Sequence, residues 1–132
     1  MISIYFTCPN EKTARKIARA LILERLAACV NIVPGIASHF FWKGKMCEDR
    51  ECLAFVKTRK SLASQAMLRI KALHPYETPA ILSLLVANAD PDYRTWLFGS
   101  TQAAGKKSVK IKSKNSRRQK SGPKIRAHSH RA

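Results

Sequence analysis

From Lys106 to Ala132 the chain has no acidic and no aromatic residue, and its sizeable apolar side chains there are only Val109, Ile111 and Ile125. Eleven of the 25 Lys and Arg fall in this stretch, so it supplies eleven of the net +17 charges and leaves +6 on residues 1–105. Such a segment cannot bury enough surface to offset the entropy of ordering it, and a disordered tail is expected. The organisation that follows is one domain, residues 1–105, and a Lys/Arg-rich tail, residues 106–132.

Other absences exclude whole classes. No apolar run approaches the roughly 20 residues of a membrane-spanning helix. The opening MISIYFTCPNEK lacks a basic n-region and its apolar run is too short for a secretory signal. A cytoplasmic location with reduced thiols is therefore expected for Cys8, Cys29, Cys47 and Cys52. There is no C-x-x-C or His-x-x-x-His, which argues against a structural zinc site. Cys47 and Cys52 are an odd number of positions apart, so on one regular strand they point to opposite faces. The phosphate loops G-x-x-x-x-G-K-[ST] and G-x-G-x-x-G and the G-x-S-x-G elbow are missing too. A Cys–His nucleophile pair has no local pattern to support it. A non-enzyme is expected.

What is present has clear periodicity. ISIYFT is a β-branched and aromatic run stopped by Cys8-Pro9-Asn10, a strand and then a turn. Asn10 suits a helix N-cap, and Ala14, Ile17, Ala18 and Leu21 repeat at helical spacing to about Glu24 or Arg25. A long strand follows through Val30 and Ile32, interrupted at Pro34-Gly35, where a bulge or kink is expected. Lys43-Gly44-Lys45 makes a tight turn, and EDRECLAFVKT returns as the second arm of a hairpin. Leu62, Ala66, Ile70 and Leu73 mark a second helix, ended by Pro75. PAILSLLVA predicts a strand buried on both faces, and DYRTWLF a short helix or turn. The order is βαββαβ, an α+β fold of the ferredoxin-like type: one antiparallel sheet with two helices on one face, a long hairpin and a short C-terminal helix. Many unrelated activities use this fold, so function must come from a site.

The densest chemistry is in LHPYETP, residues 73–79, where His74, Tyr76 and Glu77 sit between Pro75 and Pro79. One reading makes His74 a metal ligand beside a polar pocket of Tyr76 and Glu77. The other makes the prolines a rigid helix-to-strand corner, with Tyr76 packing its ring and Glu77 paired to a cation such as Lys57. A rigid corner is also a good place for a site, so the two are compatible.

ERLAACVNIVPG (24–35), FFWKGK (40–45), Glu51, Lys57-Thr58-Arg59 and LHPYETP together resemble the CutA family, the divalent-cation tolerance proteins. The resemblance runs from residue 2 to about 98 and does not reach the tail. It implies a ferredoxin-like subunit in a homotrimer, with long hairpins packed edge to edge. The hairpin argues for a partner independently, since arms that overrun two helices leave unpaired edges. The resemblance also implies copper or another divalent metal bound by a first-strand cysteine and a histidine pair. Here Phe6 holds the cysteine position and Leu73 that of the first histidine, leaving His74, with Cys8 two residues further along the strand. No cofactor is obligatory on this reading. Asn31, Glu51, Lys57, Tyr76 and Glu77 match family positions, and are expected either to line an inter-subunit cleft or to form an interface ion-pair network.

The tail carries a second hypothesis of another class: a nucleic-acid or anionic-surface binding module on a trimeric scaffold. Lys106, Lys107, Lys110, Lys112, Lys114, Arg117, Arg118 and Lys120 are its candidate phosphate contacts. Without interleaved aromatics, base stacking is not indicated.

Overall fold

A computed structural model describes residues 1–103. Its elements are β1 (Ile2–Cys8), α1 (Glu11–Leu23), β2 (Cys29–Trp42), β3 (Lys45–Thr58), α2 (Ala63–Leu73), β4 (Ile81–Leu85) and α3 (Pro91–Ser100). The strands form a fully antiparallel sheet in the order β2-β3-β1-β4. That is the ferredoxin-like arrangement expected from the sequence.

Alternation along the strands decides which face holds the core. Ile2, Ile4 and Phe6 of β1 and Cys52, Ala54 and Val56 of β3 point one way. They bury Ala14, Ile17 and Leu21 of α1 and Ala66 and Ile70 of α2, so both helices cover the same face. Asn10 caps α1 by accepting the Thr13 N–H at 2.8 Å. The helix ends with Arg25 at φ 58° and the Leu26 N–H donating to the Leu21 carbonyl, a Schellman closure without glycine.

The hairpin bulges where Pro34-Gly35 interrupts the run: Val33 faces Leu53, while the next pair is Ile36 with Glu51. Gly35 has φ 70°, a value that favours glycine. The tip is a two-residue turn, Lys43-Gly44, with Trp42 facing Lys45. The return strand thus begins at Lys45, three residues before the expected Glu48, because so tight a turn wastes no chain.

One expectation needs correction. β4 is not buried on both faces: it is an edge strand, and Leu82 and Leu84 are 52% and 44% exposed. Its apolar run resembles that of a central strand, but among the described residues no element covers the face opposite the helices there. The short C-terminal helix is present as expected, 10 residues long and started by Asp90 accepting from the Tyr93 N–H with Pro91 in the first turn.

Candidate functional site

His74 sits where α2 ends. Its backbone is extended, as expected before proline, and its N–H still closes on the Lys71 carbonyl. The turn folds the ring inward, against the edges of Phe6 and Tyr76 at 6.1 and 4.8 Å between centroids. Nδ1 lies 3.1 Å from the Tyr76 N–H and Nε2 2.7 Å from the Thr7 carbonyl oxygen. An N–H can only donate and a carbonyl can only accept. The ring is therefore the neutral tautomer with its proton on Nε2, and both nitrogens are engaged.

Tyr76 reaches past the end of β1 to donate its hydroxyl to Glu51 Oε2 at 2.8 Å. Ser38, from the other arm of the hairpin, donates to Glu51 Oε1 at 2.7 Å. Glu51 is 8% exposed and, among the described residues, stands in no ion pair. Each of its two oxygens accepts from a neutral hydroxyl. Ser38 was not legible as a site residue, because the bulge that sets its register to Glu51 is a single-residue event.

Cys8 is buried behind this cluster, opposite Cys52 in the β1–β3 register, and its thiol donates to the Asn10 carbonyl. Burial, reinforced by neighbouring Cys52, pushes its pKa up to about 12. Burial raises that of Cys52 as well. Cys47, opposite Phe40 near the hairpin tip, is buried apart from these two. All four cysteines are free thiols.

The remaining cleft candidates do not join Glu51. Six residues along β3, on the order of 20 Å away, Lys57 places its ammonium 5.9 Å from the centroid of the Tyr93 ring. Asn31 accepts from the Cys29 thiol at 3.9 Å, and Cys29 lies directly across from Lys57. Burial and then the adjacent Cys29 raise the Tyr93 pKa. Glu77 is exposed and unpaired with Lys57. The five positions therefore divide into a Glu51–Tyr76 cluster, an Asn31–Lys57 cluster and a solvated Glu77. Among the described residues no three His, Cys, Asp or Glu side chains are placed to hold a metal ion. Lys106 to Lys120 lie outside the described residues.

A ferredoxin-like subunit with a long bulged hairpin and a buried carboxylate beside a His-Pro-Tyr corner defines a narrow class. The family model described as CutA1 divalent ion tolerance protein matches residues 2–100. The chain is 47% identical over 98 residues to the divalent-cation tolerance protein CutA of Thermus thermophilus, covering 74% of this chain and 95% of that one. It is 43% identical over 99 residues to the mouse protein CutA, but there the match spans only 56% of the relative's length. The solved CutA1 structures of Thermus thermophilus and Oryza sativa superpose with TM-scores of 0.74 and 0.75, at 46% and 42% identity. They are covered over 100% and 93% of their length, for 77% and 76% of this chain. The chain belongs to the CutA1 divalent ion tolerance family. Relatives include a protein titled periplasmic and another titled chloroplastic, so membership does not assign a compartment. No helix among the described residues is long and apolar enough to cross a membrane.

Proposed function

We propose that this chain works as a homotrimer in divalent-cation tolerance, by binding cations rather than by catalysis, with copper the first ion to test. The observation that supports it is Glu51. Glu51 is buried and, among the described residues, stands in no ion pair, so a cation at this end of the sheet would find a carboxylate not already paired with a charge. The described residues of a single subunit do not offer a complete ligand set, so the remaining donors would come from a neighbouring copy. His74 can contribute only by giving up one of its two hydrogen bonds, and Cys8 only by losing a tightly held proton. Binding through either is thus coupled to rearrangement or proton release.

Calorimetric titration of the full-length assembly with Cu2+ and Zn2+ tests this. Glu51→Gln, which keeps the shape but removes the charge, is expected to weaken binding by about tenfold or more, a change of ~1.4 kcal/mol. His74→Ala should weaken it less. Parent, Glu51→Gln and His74→Ala binding alike would overturn the reading.

The tail's composition favours a second role in holding polyanions. Truncation after Gly105 should abolish salt-sensitive retention on nucleic acid and leave cation binding intact.

A further inference from the structure

The last turn of α3 ends among cations. Arg25, just past α1, donates from Nη2 to the Gly99 carbonyl at 3.3 Å. Arg59, one residue past β3, donates to the Thr101 hydroxyl at 2.9 Å and to the Phe98 and Thr101 carbonyls. The guanidinium carbons of Arg59 and Arg94 lie 4.6 and 4.9 Å from the centroid of one ring, Phe98. Lys60 follows Arg59 and is exposed, as are Arg25 and Arg94. Burial, then Arg94 and then Lys60, lowers the pKa of the Met1 amino group, so both cations bear on the start of β1. A helix C-terminus carries only about half an elementary negative charge, too little to balance four cations. Among the described residues none of the four stands in an ion pair. Glu24, beside Arg25, is bound to Arg69 at 2.7 Å. Asp90 and Asp92 stand at the start of α3, and Arg94 reaches away from them to Phe98. Like charges so gathered repel one another, and an anion among them would relieve this.

We propose that this end of the subunit is a docking surface for the phosphate backbone of nucleic acid, with Arg25, Lys60 and Arg94 meeting phosphates while Arg59 holds the helix end in place. The proposal deepens the polyanion role given to the tail and rests on it. The Gln102 N–H donates to the Arg25 carbonyl and its side-chain amide to the Glu24 carbonyl, both at 2.9 Å. The chain therefore passes Arg25 on its way out of the domain, and the tail's eleven Lys and Arg begin four positions later. So many cations in sequence suit a long polyanion better than a single phosphate. The tail has no aromatic and few apolar side chains to enter a lipid surface, which favours nucleic acid over a membrane. Partner copies do not compete for this end. Arg59 and Lys60 follow β3, a central strand, whereas the apolar groups that call for a neighbour lie on β4 and at the hairpin tip.

The test titrates a labelled mixed-sequence DNA duplex with the full chain, by fluorescence anisotropy over a range of salt. Each phosphate contact adds about 0.9 to the slope of log affinity against log salt, so Arg94→Gln with Lys60→Gln should lower it by about 2 for each subunit in contact. Lys12→Gln with Lys16→Gln removes the same charge from the start of α1 and should leave the slope close to the parent's. Circular dichroism checks that both variants are folded. A slope unchanged in the Arg94 and Lys60 variant, or lowered equally in both variants, overturns the proposal and leaves the tail's role standing. A parent that does not bind the duplex overturns both. Retention on phosphatidylserine vesicles that needs Arg94 and Lys60, with DNA binding indifferent to them, would assign the surface to lipid instead.

Discussion

At Cys8 the thiol is kept protonated by its surroundings, and this links stability to alkaline pH. Its folded pKa of about 12 lies above the ordinary 9.0, so the native state retains a proton that the unfolded chain gives up. The contribution is complete below pH 9 and is lost progressively as pH rises from about 9 towards 12. Urea midpoints should therefore be flat from pH 7 to 8.5 and decline by pH 10.5. Cys8→Ala should be less stable throughout but decline less steeply; a parallel decline would show that other groups govern it. Cys52, raised in the same direction, leaves part of the slope in the variant. His74 and Tyr76 were both legible in HPYE, since prolines on either side of polar groups announce a corner. Glu51 was legible only as a family-matching position. Its pairing with Tyr76 spans 25 positions and could not be read from spacing.

The hairpin is the element that carries most of the design. Its arms were legible from β-branched alternation and its turn from Lys43-Gly44, yet the turn's backbone shows where it is vulnerable. Lys43 and Gly44 have φ of 48° and 76°, the left-handed pair that lets two strands reverse without splaying. A Cβ at Gly44 would meet nothing within 4 Å, so the cost of Gly44→Ala comes from φ alone. About 1 kcal/mol of destabilisation is expected, seen as a lowered thermal midpoint with an unchanged far-ultraviolet spectrum. A neutral effect would mean that the tip relaxes at no cost. The bulge was legible in position but not in consequence. By adding one residue to β2 it brings Ser38, rather than a neighbour, to Glu51.

On the scale of the whole molecule, the unresolved account is apolar surface. Leu82, Leu84 and Leu85 of β4 and Phe41 and Met46 beside the hairpin tip are all exposed in the single chain. Natural edge strands are seldom left both apolar and bare, so the proposed trimer would cover these groups. Leu84→Asp should then split the assembly, raising its dissociation constant by about tenfold or more, while circular dichroism still shows a folded subunit. Sedimentation of the variant beside the parent decides this: equal assembly in both would place the interface elsewhere.

The amino-acid order by itself determined the elements and their sequence. Each of these rests on local periodicity, capping residues and composition, which act over a few positions. Only the tertiary structure decided that β4 lies bare at an edge, that Glu51 is buried between Ser38 and Tyr76, and that Lys57 belongs with Cys29 and Tyr93 instead. Those facts depend on strand order and on a one-residue bulge. A difference of one position in register turns a side chain to the other face, and local sequence carries too little energy to specify it.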